Sequence, residues 1–185
     1  MIATQLNQIR SLLRRREIKV SDALLVVMRY LRDKLPASRL VWLNRELLGY
    51  RRDDLPELYQ VNKPQQFNIF KTTTKKTDLA VPQYRFLEGT WGHLDDNGEL
   101  IAISAPHLSE SSIFCNMGIQ QIEVQLQELD DPYNSMFSMS SDDLTGAEFY
   151  CWAKELVRVY DAVRTKLCVF IDNSLAELKL PSSER

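Results

Sequence analysis

The chain has two histidines, His93 and His107, that could act as a general base or bind a metal. Neither has a Cys, His or Asp at the spacing a zinc site uses. Carboxylates are more plentiful, as the neighbours Asp53-Asp54, Asp95-Asp96, Asp130-Asp131 and Asp142-Asp143. Each pair lies in a stretch that reads as a turn. Adjacent acids point apart in most backbones, and turns favour Asp because its side chain bonds to nearby backbone N–H groups. The segment "LDDNGEL" echoes a calcium loop but lacks the alternating carboxylates and the bidentate Glu at the twelfth position. The six glycines form neither GxxxxGK[ST] nor GxGxxG, and no GxSxG surrounds Ser104, Ser109, Ser111 or Ser112. The expectation is a chain without catalytic residues, metal or cofactor, more readily a non-enzyme than an enzyme.

Basic residues form the other chemically capable groups. Arg14, Arg15, Arg16 and Lys19 close the first helical stretch, Arg51 and Arg52 follow a glycine stop, and Lys75 and Lys76 follow three threonines. These eight residues are the partner-binding candidates. For the first cluster a structural reading competes, since cations favour the negative end of a helix dipole. Over the chain, the net charge of −2 conceals an asymmetry. Residues 1–76 hold 16 Lys or Arg against 7 Asp or Glu, and residues 77–185 hold 7 against 18. The two halves can pair internally, or the basic half can face an acidic partner. Internal pairing is the expectation, because the basic residues are spread over several elements. A nucleic-acid partner is the alternative, but the pI of about 5.8 and the lack of interleaved aromatics oppose a general nucleic-acid binder.

The elements that must position these residues can be read from periodicity. Leu6, Ile9, Leu12 and Leu13 predict a helix over 4–16. Ser21 is the expected N-cap of a second helix carrying Leu24, Val27, Met28 and Leu31, ended by Leu35-Pro36. A third helix over 38–48 stops at Gly49, with Leu40, Val41, Leu43, Leu47 and Leu48 as its apolar arc. Strands are predicted at Leu58–Val61 and Phe67–Lys71. Two β-prone runs flank Asp95-Asp96-Asn97-Gly98, which reads as a hairpin with positive-φ turn residues. "SSIFCNM" is the last predicted strand, and Gly118 opens a helix with Ile119, Ile122, Leu126 and Leu129. Residues 133–143 read as a loop. Thr145 and Glu148 read as a capping box opening a helix from Gly146, with a seam of Phe149, Ala153, Leu156, Tyr160, Val163, Leu167 and Phe170.

The sum is an α+β fold, N-terminal helices and a long C-terminal helix packed with a small antiparallel β-sheet, in one domain of residues 1–180 with a tail of 181–185. The heptad-like seam also allows self-association. No apolar stretch approaches the ~20 residues a membrane-spanning helix needs, and no signal peptide is evident. Cys115, Cys151 and Cys168, odd in number and without CxxC spacing, read as reduced core thiols of a cytoplasmic protein.

Trp42 falls among Arg39, Arg45 and Glu46 and away from the apolar arc. It reads either as an interface residue or as a ring covered by a β-layer that follows Gly49, the second being expected.

The stretch "LVWLNRELLGYRRDDLPELYQV" resembles the signature of the AbiTii-type domain of bacterial phage-defence (abortive infection) and conflict loci, a helix ending W-x3-EL-x-GY followed by an acidic linker and an LP-x-Y strand. Trp42, Glu46, Leu47, Gly49, Tyr50, Leu55 and Pro56 match in order, although Tyr59 comes one residue late. "EGTWGHLDDNGELIAI", the Ala105-Pro106 loop and "GIQQIEVQL" are similar to the middle of that family. "VYDAVRTKLCVFI", with Arg164, is similar to its closing helix. The resemblance implies a bacterial intracellular module of a defence or toxin–antitoxin-like system that acts through a protein partner. It brings no active site with it.

Overall fold

The buried stripe Leu6, Ile9 and Leu13 makes the first helix, α1 (Ile2–Arg14), amphipathic in the way its spacing requires. The structure, a computed structural model, describes residues 2–51, 82–103, 111–140 and 147–179. The predicted strands at 58–61 and 67–71, the Ala105-Pro106 loop, His107, Thr145 and the tail lie outside the described residues. So do the candidates Arg52, Pro56, Lys75 and Lys76.

Helix α1 ends in a Schellman-type turn. Arg16 N–H donates to the Leu13 carbonyl at 3.1 Å and Glu17 N–H to the Leu12 carbonyl at 2.9 Å. Arg16 sits at the left-handed position of that turn, φ 60°, where glycine is preferred. Helix α2 (Val20–Leu31) buries Val20, Ala23, Leu24, Val27 and Leu31. Its N-cap is Lys19, with no side-chain cap. The expectation that Ser21 caps is therefore corrected: Ser21 is inside the first turn, and its hydroxyl is spent on Glu123.

Helix α3 (Ala37–Leu48) stops at Gly49, whose φ of 95° and ψ of 173° belong to a region that is essentially glycine's alone. Its buried residues are Leu43, Glu46 and Leu47, whereas Leu48 is 62% exposed. The buried arc is thus turned by about a quarter-turn from the expected one, toward the face that carries Trp42 and Glu46. Helix α4 (Ile119–Gln127) opens at Gly118 as predicted and buries Ile119, Ile122 and Glu123. Gly118 is needed for a close approach: a Cβ there would lie 2.4 Å from the Leu47 carbonyl oxygen and 2.7 Å from the Leu48 carbonyl carbon. Met117, just before it, makes an isolated antiparallel bridge with Gly49.

Two antiparallel sheets hold the strands. β1 (Phe86–Glu88) pairs with β4 (Ser112–Phe114) in a two-stranded sheet, with Leu87 opposite Ile113. β2 (Thr90–Leu94), β3 (Leu100–Ala102), β5 (Met136–Ser140) and β6 (Glu148–Trp152) form a four-stranded sheet in the order β3-β2-β6-β5. Trp91 and Phe149 are register partners and pack edge to face at 5.4 Å, and Cys151 is buried on the same side. The hairpin between β2 and β3 is the predicted one. Of its turn residues, only Gly98 takes positive φ (80°). Asp95 contributes differently, as its carboxylate receives the backbone N–H of Asn97 at 2.9 Å and of Glu99 at 2.8 Å.

Two expectations fail in this region. Residues 133–143 contain a strand, β5, and Glu148 with Phe149 belongs to β6 rather than to a helix opened by a capping box. Phe149 and Cys151 lie on one face and Glu148, Tyr150 and Trp152 on the other, and the strand wins because it finds partners on both edges. The last helix, α5 (Lys154–Lys179), therefore starts later. It buries Leu156, Val159, Val163, Leu167, Ile171 and Leu175, while Tyr160 and Phe170 of the expected seam are half-buried.

The described residues form two compact units. One is helical, from residues 2–49, 117–128 and 157–179; the other holds the strands, from residues 50–51, 82–103, 111–116, 129–140 and 147–156. The fold is α+β, with α5 as the long C-terminal helix.

Candidate interaction surfaces

The basic cluster at the end of α1 meets acids of α5. Arg10 and Arg14 both reach Asp172, Arg14 at 3.4 Å. Arg16 reaches Asp161 at 3.1 Å from its left-handed position, and Arg164 shares the same Asp161. Arg15 pairs with Glu17 at 3.3 Å, and Arg39 of α3 pairs with Glu177 at 3.2 Å. The charge asymmetry of the sequence is thus partly resolved across α1, α3 and α5. Most of these groups are well exposed, so each pair contributes only ~0–1 kcal/mol. Arg14, Arg15, Arg16 and Lys19 are brought to one junction, with Lys19 exposed beside α2. Arg51, exposed, belongs to the other unit.

The described residues of the W-x3-EL-x-GY stretch pack within the protein. Trp42 is half-buried, and its ring lies 5.9 Å from that of Phe170 on α5. The ring thus packs on the C-terminal helix, while the segment expected to cover it, after Gly49, lies almost entirely outside the described residues. Glu46 is fully buried on the same face of α3. Tyr50 is buried in the strand-bearing unit, 5.3 Å edge-on from Phe114 and 4.9 Å beneath the guanidinium of Arg85. Arg85 itself is fully buried and donates to the Cys115 carbonyl at 3.1 Å. Arg164 stacks over Tyr160 at 4.8 Å, and its buried Nε has no hydrogen-bond partner among the described residues.

A buried polar network was not anticipated. The Glu123 carboxylate accepts the Ser21 backbone N–H at 3.1 Å, the Ser21 hydroxyl at 2.5 Å and the Tyr160 hydroxyl at 2.9 Å. Tyr160 oxygen in turn accepts the Val20 N–H at 3.2 Å. Three helices meet at this carboxylate, which faces the positive end of the α2 dipole. Burial, then proximity to Glu123, pushes the Tyr160 phenol above its ordinary range, against the lowering effect of the Val20 N–H. The available signal was Glu123 in "IQQIEVQL", a lone acid next to Ile122 on the apolar side.

The reactive side chains are quiet. Burial, reinforced by Glu155 and Cys115, pushes the Cys151 thiol up to about 12, and burial raises Cys168. A thiol so shifted is no nucleophile at neutral pH. His93 is exposed on β2. Among the described residues no group of three or more His, Cys, Asp or Glu is placed to hold a metal ion, and no helix is long and apolar enough to cross a membrane.

Two large apolar side chains are exposed side by side on one face of the four-stranded sheet. Trp152 of β6 is 49% exposed, and its register partner Met136 of β5 is 40% exposed. In that pairing the two side chains are close neighbours. Leu94 of β2 is exposed on the same face but six ladder positions from Trp152, with the buried Tyr150 between them, and Tyr133 is exposed just before β5. No protein-family model, curated protein or solved structure matches the chain. Of the three regions, the helical network and the α1–α5 pairs are occupied by the protein's own groups. The Trp152 face is different, because Trp152 and Met136 remain partly in solvent.

Proposed function

We propose that the chain is a non-enzymatic interaction module of a prokaryotic anti-phage or toxin–antitoxin-like system, similar to AbiTii-type domains, that acts in the cytoplasm by binding a protein partner. The observation that supports it best is Trp152, half in solvent on the sheet face with Met136 beside it. Tryptophan is the residue most enriched among energetically dominant interface contacts, and methionine adapts to varied surfaces. The face suits an apolar or aromatic patch on another protein. The defence context rests on the resemblance around Trp42 to Tyr50.

The pairing of Arg10, Arg14 and Arg16 with α5 acids supports a protein partner over nucleic acid, since those guanidinium groups already have carboxylates. The test is capture of partners from the native bacterial host by the wild-type chain, by Trp152→Ala, and by Arg15→Glu with Lys19→Glu. Loss of a captured protein on Trp152→Ala alone supports the reading. Capture that survives Trp152→Ala but fails with the charge reversals, and that weakens steeply with salt, would replace it with electrostatic recognition of nucleic acid or an acidic surface.

A further inference from the structure

Among the described residues, strand β5 is the end strand of the four-stranded sheet. Its outward row can be assigned. Ala153 N–H donates to the Ser135 carbonyl at 2.9 Å, so Ser135 and Ala153 form a hydrogen-bonded pair across β5 and β6. Antiparallel ladders alternate, which makes Phe137 and Met139 the next residues bonded to β6. The N–H and C=O groups of Met136, Ser138 and Ser140 therefore point away from the sheet. The strand reads Met-Phe-Ser-Met-Ser, with no charge and no proline, and shows none of the charge, proline or bulge devices that usually blunt an edge.

We infer that β5 is a self-pairing edge, at which a second copy of this chain adds its own β5 antiparallel about a two-fold axis through Ser138. Such a register places Ser138 opposite Ser138 and Met136 opposite Ser140 of the other copy. All of these have outward backbone groups, so the hydrogen-bonded pairs form without a slip. Between them, Phe137 comes opposite Met139 in the closely spaced pairs, where side chains approach most nearly. Both residues are only half-buried in one copy, on the face that buries Phe149 and Cys151. Each copy thus completes the other's cover. No charged residue of β5 opposes another, and a self-complementary patch is what a two-fold interface requires. The result is a continuous eight-stranded sheet. The inference does not rest on the partner reading: Trp152 defines a sheet face, whereas this surface is a backbone edge.

The experiment uses the full chain at several micromolar concentrations in sedimentation velocity, together with Ser138→Lys. The exposed lysines would face each other at the two-fold axis and leave each copy's fold undisturbed. Ser138→Cys is treated in parallel with a short bis-maleimide, with Thr90→Cys as an exposed control on β2; the native cysteines are all buried. The expected result is a wild-type dimer, roughly tenfold or more weakened in Ser138→Lys, and a covalent dimer from Ser138→Cys but not from Thr90→Cys. A wild-type monomer at every concentration overturns the inference. So does a dimer indifferent to Ser138→Lys and uncrosslinked at position 138. A monomer that loses a captured partner with Ser138→Lys, but keeps it with Trp152→Ala, would assign the edge to a strand of another protein instead.

Discussion

The Glu123 carboxylate stands over the first turn of α2, 3.1 Å from the Ser21 backbone nitrogen and 2.5 Å from its hydroxyl. One acidic residue from α4 thereby replaces the cap that α2 lacks, and through Tyr160 it also binds α5. Removing it strands buried donors on two helices. Glu123→Ala is expected to cost about 2–4 kcal/mol, and Tyr160→Phe about 1 kcal/mol. Urea unfolding with an unchanged slope checks both. A loss below ~0.5 kcal/mol for Glu123→Ala would mean that the carboxylate is not a junction.

Gly118 and Arg16 should respond in opposite ways to a change of backbone freedom. A Cβ at residue 118 meets the α3 backbone at 2.4 Å, which cannot move aside as a side chain would. Gly118→Ala is therefore expected to destabilise by more than about 1 kcal/mol. Arg16→Gly relieves a left-handed arginine and gives up an exposed pair with Asp161. It should leave stability unchanged or raise it by up to ~1 kcal/mol. Thermal unfolding of the two variants reads the contrast directly.

The alkaline limb of stability follows from groups whose folded pKa is raised. Cys151 is pushed up to about 12, and Cys168 and Tyr160 are raised in direction, in each case chiefly by burial. For such groups the folded state holds the proton more tightly. Their contribution is fully present below the unfolded values, ~8.5 for a thiol, and is lost as pH rises toward the folded ones. Stability should therefore fall between about pH 8.5 and pH 12. Cys151 should resist alkylation at neutral pH until the chain unfolds. Cys151→Ser, which removes the titrating thiol, should flatten that decline, and an unaltered alkaline slope in the variant would exclude Cys151 as a cause.

The three tryptophans are placed in three environments. Trp91 is buried, Trp42 is half-buried against Phe170, and Trp152 is 49% exposed. Acrylamide should quench one component strongly, and Trp152→Phe should remove it. Trp42→Phe should instead shift the remaining spectrum little and lower stability by about 1 kcal/mol through lost ring contact. A strongly quenched component that survives in Trp152→Phe would place the accessible ring elsewhere.

Much of the helical organisation was legible because it is local. Leu6, Ile9 and Leu13 recur at helical spacing whatever surrounds them, Gly49 permits a φ that other residues avoid, and Asp95 to Gly98 carry their turn within a few bonds. The sequence by itself thus determined the four shorter helices, the β2–β3 hairpin and the α+β class. Tertiary structure decided the rest. Glu148 to Trp152 suits either a helix or a strand over so short a run, and only pairing with Thr90 to Gly92 and with β5 selects the strand. Trp42 looked misplaced because periodicity locates an apolar arc but not which neighbouring helix covers its margin; α5 arrives from more than a hundred residues away and supplies Phe170. The burial of Glu123 and Arg85 has no signal in periodicity for the same reason. A charged side chain is buried only when distant donors, acceptors or rings converge on it, and that convergence is a property of three-dimensional packing, with no counterpart in the order of residues along the chain.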